Sequence, residues 1–310
     1  MSRALSPDQF GQLGQFMDIS WRLDAIERSL GSVVPGQRAT VRAARRLNRA
    51  AGTLATSVLV DSAVEHYRGS FENPAMFVPL AVSALTLAIS AHGSADARPV
   101  AHRTRQVVYS SAALAGVAGT GFHIHNVLKR PGRLAWQNLF YGAPVGAPMA
   151  ILLAGLLGTA AEAVRNSPRG RVPLVLGMPA GRLLALVSGI GMLGTAGEAG
   201  LLHFRGAYHN PAMYAPITIP PAGAALLLNT AAGPARRDRW LTRWWLRLTA
   251  LLGFAGVGFH MWGVQRSMGG WRNWSQNLLD GPPLPAPPSF TGLSLAGLAA
   301  LGLLEDHPDG

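Results

Sequence analysis

The stretch HYRGSFENPAMFVP at His66–Pro79 returns as HFRGAYHNPAMYAP at His203–Pro216. A second pair follows at the same separation, because VAGTGFH ends at His123 and FAGVGFH ends at His260. The order of the motifs is kept, so each half of the chain is one copy of the same unit. A repeat of this kind sets the architecture before any local pattern is considered.

A third pair of motifs marks the later part of each unit. Gln137–Pro148 reads QNLFYGAPVGAP and Gln276–Pro287 reads QNLLDGPPLPAP, slipped by two residues relative to the first pairs. We therefore predict a first membrane repeat at residues 47–170 and a second at residues 171–304, each with four helices. The two copies can then be compared position by position within one chain.

The composition indicates an integral membrane protein of the all-α class. Hydrophobic residues make up 49% of the chain and charged residues only 14%, and the 37 glycines suit close packing of helices in lipid. Eight apolar stretches approach the roughly 20 residues that a membrane helix needs. They are predicted at Leu47–Tyr67, Ala75–Ala91, Gln106–Val127, Pro144–Ala163, Gly181–Phe204, Pro211–Leu228, Leu241–Val264 and Ser289–Leu304.

The arginines predict the orientation of these eight helices. Four helices per repeat is an even number, so both repeats enter the membrane from the same side. One set of loops holds most of the arginines, and the richer side is expected to be cytoplasmic. We therefore expect a multi-pass protein of a bacterial-type inner (plasma) membrane, with both termini in the cytoplasm and the lipid bilayer as partner. The net charge of +12 then follows from topology, and no nucleic-acid partner is predicted.

The two ends of the chain are predicted to differ from the repeats. Residues 1–46 are expected to form a cytoplasmic amphipathic segment, in which a helix begins near Ser6 and lies on the membrane surface or caps the bundle. This stretch lacks the continuous apolar core of a signal peptide. Residues 305–310 form an acidic tail that is predicted to be disordered.

The repeated polar residues fall near the non-cytoplasmic ends of the helices. Asn73 and Asn210 each precede a proline and are predicted to cap the returning helix. An ionisable group within a membrane segment is costly and is therefore a functional candidate. The matched candidates are His66, His123, Arg68 and Asp61 in the first repeat and His203, His260, Arg205 and Glu198 in the second.

Some matched positions differ between the copies, so two sites built from them would not be equivalent. At one position the two residues differ but both can bind a metal, and at two others only the first copy has a group that can. The exchanged pairs are Glu72 for His209, Glu65 for Leu202, and His125 for Trp262.

The first interpretation of this set is a metal site. Neutral imidazole and carboxylate together suit iron, zinc, copper or manganese. The carboxylates of Asp61 and Glu198 can bind the metal with the histidines only if the helix end unwinds. Otherwise they would hydrogen-bond a ligand of the metal without touching the metal itself. The predicted ligand sets are His66, His123, Glu72 and Asp61 in one half and His203, His260, His209 and Glu198 in the other.

The second interpretation is haem b, held by two histidines on different helices. Glycines before His123 and His260 would let a flat macrocycle approach the backbone, and Arg68 and Arg205 would hold its propionates. The third interpretation has no cofactor. In that case the glycines serve helix packing, the histidines bond the loops, and Arg68 pairs with a nearby glutamate.

These interpretations predict different functions. A metal or haem site near the periplasmic leaflet predicts electron transfer, or oxidation of a lipid-soluble substrate such as a quinone, by a membrane oxidoreductase or its membrane subunit working with a membrane redox partner. A proton-coupled transporter or channel would instead use Asp61, Glu198 and the histidines. A cofactor-free membrane anchor or assembly protein is the third alternative.

Overall fold

The described part of the chain is almost entirely helical. The computed structural model describes residues 35–142, 144–168, 170–234 and 239–307. About 80% of the protein is helical, which confirms the predicted all-α class. Residues 1–34, which hold most of the predicted amphipathic segment, lie outside the described residues.

Ten α-helices follow one another in the described residues. They are α1 (Pro35–Arg68), α2 (Val78–Ala95), α3 (Arg103–Leu128), α4 (Trp136–Tyr141), α5 (Gly146–Arg165), α6 (Ala180–Arg205), α7 (Ala215–Ala232), α8 (Trp240–Arg266), α9 (Trp274–Asp280) and α10 (Pro288–Asp306). Short 3₁₀ helices lie at Pro74–Phe77, Pro211–Tyr214 and Gly270–Asn273. An antiparallel hairpin of β1 (Leu174–Val175) and β2 (Met178–Pro179) connects α5 to α6.

Helix α1 begins earlier than the first predicted apolar stretch. It starts at Pro35, so the last part of the predicted surface segment continues directly into the bundle. Ala39, Ala43 and Ala44 are buried there, because this part of α1 packs against other helices. At the other end of the chain, α10 extends through Asp306, and Arg243 forms an ion pair with Glu305.

Six helical segments are long and apolar enough to cross a membrane. They contain α2, α3, α5, α6, α7 and α10. Helices α1 and α8 also coincide with predicted apolar stretches, but both carry several arginines in their first turns and fall outside this set of six. The chain is therefore a multi-pass membrane protein by the length and composition of its helices.

Helices α5 and α10 form the centre of the fold. Within their apolar windows 56% and 72% of residues are buried, compared with 17% for α2 and α3. Helix α5 packs against α1 and α3, while α10 packs against α1, α6 and α8. The last helix of each predicted repeat is thus enclosed by protein, and the other helices present apolar side chains outward.

Glycines allow the close approach of these central helices. A Cβ atom on Gly116 of α3 would lie 2.5 Å from the backbone nitrogen of Leu152 in α5. At the corresponding position of α8, a Cβ on Gly253 would run into Thr291 of α10. Small residues bring membrane helices together in this way, since lipid supplies little hydrophobic force between them.

Candidate functional site

Two asparagines cap the helices that return into the bundle. The side-chain oxygens of Asn73 and Asn210 each accept a hydrogen bond of 2.9 Å from the backbone N–H two residues later. Each begins a 3₁₀ turn that leads into α2 or α7, which confirms the predicted capping role. An aromatic pair stacks in each turn: Phe71 on Phe77, and Tyr208 on Tyr214.

Two of the repeated histidines are held by these same turns. His66 Nδ1 lies 2.7 Å from the carbonyl oxygen of Met76, and His203 Nδ1 lies 2.9 Å from that of Met213. Each contact joins the last turn of α1 or α6 to the 3₁₀ turn that follows. The ring of each histidine is therefore fixed by its own turn.

The other two repeated histidines are held by the loops that precede the central helices. His123 of α3 contacts the carbonyl oxygen of Pro144 through Nδ1, and His260 of α8 contacts that of Pro283 at 2.6 Å. Pro144 comes just before α5 and Pro283 just before α10. The same kind of contact thus holds all four histidines.

These contacts determine which ring nitrogen carries the proton. A carbonyl oxygen can only accept a hydrogen bond, so Nδ1 is the donor and Nε2 of the neutral ring keeps its lone pair. Metal-ligating histidines show the same arrangement, with the second ring N–H held by a backbone carbonyl. Among the described residues, Nε2 has no hydrogen-bond partner in His66, His123, His203 or His260.

The histidines are brought together in pairs within each half. His66 interacts electrostatically with His123, and His203 with His260. Helices α1 and α3 each pack against α2 and α5, so the first pair lies across one end of a four-helix bundle. Helices α6 and α8 are arranged in the same way around α7 and α10. Cofactor sites in helix bundles are built from side chains on such facing helices.

The matched carboxylates lie in different surroundings. Glu198 accepts a hydrogen bond of 3.0 Å from the backbone N–H of Gly146, at the first turn of α5, where a negative charge is favourable. Asp61 lies near enough to Glu65 and Glu198 for their negative charges to repel one another, so carboxylates of the two halves are neighbours. Within the described chain Asp61 has neither a hydrogen bond nor an ion pair of its own.

The two matched arginines already have partners. Arg68 pairs with Glu65, at 2.9 and 3.2 Å to its two oxygens. Arg205 donates a 3.0 Å hydrogen bond to the carbonyl of Phe140 and lies 5.5 Å from the ring centre of Tyr141. A cofactor propionate would therefore have to share these guanidinium groups or displace their partners.

The remaining predicted ligands lie at the surface of the loops. Glu72 is exposed, and exposed His209 bonds the carbonyl of Gly206 through Nδ1 at 3.1 Å. In the parts of the chain that are described, no three His, Asp or Glu side chains gather as a metal group. The structure thus brings together the histidine pairs and the Asp61–Glu198 pair, but not the full predicted ligand sets.

Most glycines near the histidines serve packing. Gly116 and Gly253 meet the facing central helix, and Gly119 and Gly256 face prolines at 3.1 and 2.6 Å. Two others face open space, since a Cβ on them would meet no atom within 4 Å: Gly121 and Gly258. The glycines therefore favour the packing interpretation over a surface for a macrocycle.

A buried charge network lies at the opposite end of the first half, and the sequence patterns did not reveal it. Arg105 of α3 donates to both carboxylate oxygens of Glu162 in α5, at 2.8 and 2.9 Å. It also donates to Asp96 at 2.8 Å, and the side chains of Arg105 and Glu162 are fully buried. Arg165 donates to three backbone carbonyls, of Gly93, Asp96 and Arg98.

A polar cluster continues this network into the core. Tyr109, one turn beyond Arg105, donates to the side-chain oxygen of Asn48 and lies 3.1 Å from Ser90. All three are buried. The corresponding residues of the second half are apolar: Leu246, Ala185 and Leu227.

The charges of the network are likewise confined to one half. Thr242 and Leu301 stand at the positions that correspond to Arg105 and Glu162, and Leu304 stands at that of Arg165. A comparison of the two repeats shows that the second has uncharged residues at these positions. That difference was the sequence signal that could have revealed the network. The fold therefore does not require the network, since the second half packs without it.

Asp96→Asn is expected to destabilise the protein above about pH 4 and to matter less in acid. Hydrogen bonds from Arg98 and then Arg105 hold the pKa of the Asp96 carboxyl well below its usual range, against the opposing effect of burial. A carboxyl with a lowered folded-state pKa stabilises the fold above its unfolded pKa, and this contribution is lost as the pH falls toward the folded value. Thermal melting in detergent from pH 7 to pH 2 measures the difference between variant and wild type.

The matched control for this experiment is Asp280→Asn, which removes an exposed carboxylate at the end of α9. It should leave the pH dependence of melting unchanged. A difference between Asp96→Asn and wild type that stays constant down to pH 2 would contradict the electrostatic role of Asp96.

Comparison with known proteins gives no match. No protein-family model, no curated protein and no solved structure matches the chain. The paired histidines, with their free Nε2 atoms, and the paired carboxylates are the groups that carry the functional proposal.

Proposed function

We propose that the chain crosses the membrane eight times, as two parallel four-helix repeats with both termini in the cytoplasm of a bacterial-type cell. The six apolar segments support most of these spans, and α1 and α8 would complete the count. The matched Asn caps, His–carbonyl contacts and aromatic stacks support the repeats. The histidine pairs would then lie near the periplasmic leaflet. The first turns of the helices, which are rich in arginine, would lie at the cytoplasmic face.

Each histidine pair is proposed to bind a transition metal or a haem. The supporting observation is that all four histidine rings are held in the same way. In each, Nδ1 contacts a backbone carbonyl, and Nε2 is left available as a ligand. Two imidazoles from facing helices would hold the iron of a haem b. They also supply part of a site for iron, zinc, copper or manganese, to which Asp61 or Glu198 would add a carboxylate.

The proposed activity is electron transfer, or oxidation of a lipid-soluble substrate such as a quinone, by a membrane oxidoreductase or its membrane subunit. Two sites at similar depth suit electron passage to or from a partner at the periplasmic leaflet. Arg68 and Arg205 stand two residues after His66 and His203, where a guanidinium would bind an anionic group of the cofactor or substrate.

Purified protein is expected to carry haem, seen as a Soret band, or a stoichiometric transition metal, seen by elemental analysis. His66→Ala or His123→Ala should lower the cofactor content to about half, because each removes a ligand of only one of two sites. His203→Ala or His260→Ala should do the same through the second site. Combining His66→Ala with His203→Ala should abolish the content.

The matched control is His125→Ala. His125 is exposed on α3 two residues after His123, and Trp262 stands at its position in the second copy. Its substitution should leave the cofactor content unchanged. Folded protein that is colourless and free of metal after gentle extraction would sink the proposal, as would equal losses in His125→Ala and His123→Ala.

A proton-coupled transporter or channel is the second candidate function, and Asp61 favours it. An ionisable group in a membrane helix normally has a partner, yet among the described residues Asp61 interacts only with other carboxylates, Glu65 and Glu198. Such a group can take up and release a proton during transport. Cofactor-free protein would make this candidate the leading one, with the cofactor-free anchor or assembly protein as the remaining alternative.

A further inference from the structure

A cleft lined by arginines lies beside the first turns of α1, at the end of the bundle opposite the histidines. It has a volume of about 330 Å³. Among the described residues, its polar side chains are all arginines, and three apolar residues complete the lining. The lining residues are Arg38, Val41, Arg42, Arg45, Arg46, Arg49, Ala97 and Pro99.

One of these arginines has a structural role that both halves share. Arg45 donates a 2.7 Å hydrogen bond to the carbonyl of Ser94, near the end of α2. Arg182, its counterpart in α6, donates to the carbonyl of Ala231, near the end of α7. Arg45 is therefore part of the packing of the fold, as a cap for the neighbouring helix.

The other arginines of the cleft belong to the first half only. The second half has apolar residues at their positions, so the repeat fold does not require a cation there. Arg46 also donates a 3.0 Å hydrogen bond to the carbonyl of Leu298 in α10, which leaves Arg38, Arg42 and Arg49 as the cleft arginines whose side chains make no such bond among the described residues. The corresponding pairs are Arg38 and Val175, Arg42 and Pro179, Arg46 and Leu183, and Arg49 and Leu186.

The arginine charges of the cleft are not matched by described acidic groups. Arg46 interacts electrostatically with four further arginines, two on α1 and two on α8. Two carboxylates of neighbouring segments are already engaged, because Asp96 pairs with Arg98 and Arg105, and Glu305 pairs with Arg243. Like charges held together in this way destabilise the fold unless an anion offsets them.

We propose that this cleft binds a phosphate group, either the headgroup of an anionic phospholipid or a soluble phosphate. Arginine presents a planar set of donors that fits phosphate oxygens bidentately. Arg38, Arg42, Arg45 and Arg49 follow one face of α1, at intervals of three and four residues, so several guanidinium groups can reach one anion. Basic pockets between helices on the cytoplasmic side of a membrane bind lipid headgroups in this way.

The test is a binding titration of the full chain, purified in detergent micelles and followed by its melting temperature. The probes are short-chain phosphatidylglycerol, short-chain phosphatidylcholine and inorganic phosphate. Phosphatidylglycerol is expected to raise the melting temperature more than phosphatidylcholine, and Arg42→Gln/Arg49→Gln should weaken its binding by about tenfold or more. If inorganic phosphate competes with the lipid, the site accepts soluble phosphate. If only the lipid binds, the headgroup in its membrane is the ligand.

A variant of equal charge tests whether the effect is specific to the cleft. Arg103→Gln/Arg171→Gln removes two exposed arginines on the same predicted cytoplasmic side, outside the cleft, and should leave the binding unchanged. Equal weakening in both double variants would overturn the proposal, since it would reflect general surface charge. Failure of the wild-type chain to bind either phosphate probe would also overturn it.

Discussion

Glu162→Gln is expected to lower the free energy of unfolding by about 3–5 kcal/mol, the cost of leaving a buried charge without its partner. Arg105 is fully buried and donates to both carboxylate oxygens of Glu162. Glutamine keeps the shape but removes the charge, and its single acceptor oxygen can replace only one of the two hydrogen bonds. Asp96 then remains as the carboxylate beside Arg105. Chemical unfolding of the purified protein in mixed micelles measures the loss against the wild type.

The second repeat supplies the matched control for this prediction. Arg105→Thr/Glu162→Leu removes both charges and installs the residues that stand at these positions in the second half, Thr242 and Leu301. Replacing a buried ion pair by apolar groups is often close to neutral, so the double variant should recover most of the loss. A double variant less stable than Glu162→Gln would contradict this account of the network.

The features that the sequence predicted well are those that depend on residues close together in the chain or on the order of the helices. Asn73 and Asn210 cap the returning helices because an asparagine before a proline satisfies the free N–H groups of the next turn. The approach of His66 to His123 was also predictable, since each lies near the end of a helix that starts at the same end of the bundle. Repetition strengthened these inferences, because each motif occurs twice in the same order.

The network of Arg105 was not predicted, because it depends on tertiary packing. Arg165 follows Glu162 by three residues in the sequence, but it lies 3.8 Å from Glu162 and donates its hydrogen bonds to backbone carbonyls. Arg105 is 57 residues away in the chain and reaches Glu162 only because α3 packs on α5. A position-by-position comparison of the two repeats would have flagged these residues, since the second half has none of these charges.

The glycines show a different limit of sequence analysis. A glycine that allows helix packing and a glycine that faces open space look identical in a sequence, although both recur in the two repeats. Gly116 and Gly121 lie five residues apart on α3, yet only Gly116 meets the backbone of another helix. The distinction depends on which face of α3 turns toward α5, and that is set by all the contacts of the bundle together.

Gly116→Ala is therefore expected to destabilise the protein by about 1–3 kcal/mol, whereas Gly121→Ala should be neutral or slightly stabilising. The new Cβ at position 116 would lie 2.5 to 2.6 Å from three atoms of Leu152, so α3 and α5 would have to separate. At position 121 it would meet no atom within 4 Å, and only the better helix propensity of alanine remains. Chemical unfolding of the two variants side by side measures the contrast. Equal effects would mean that the approach of α3 to α5 at Leu152 is not what limits the size of residue 116.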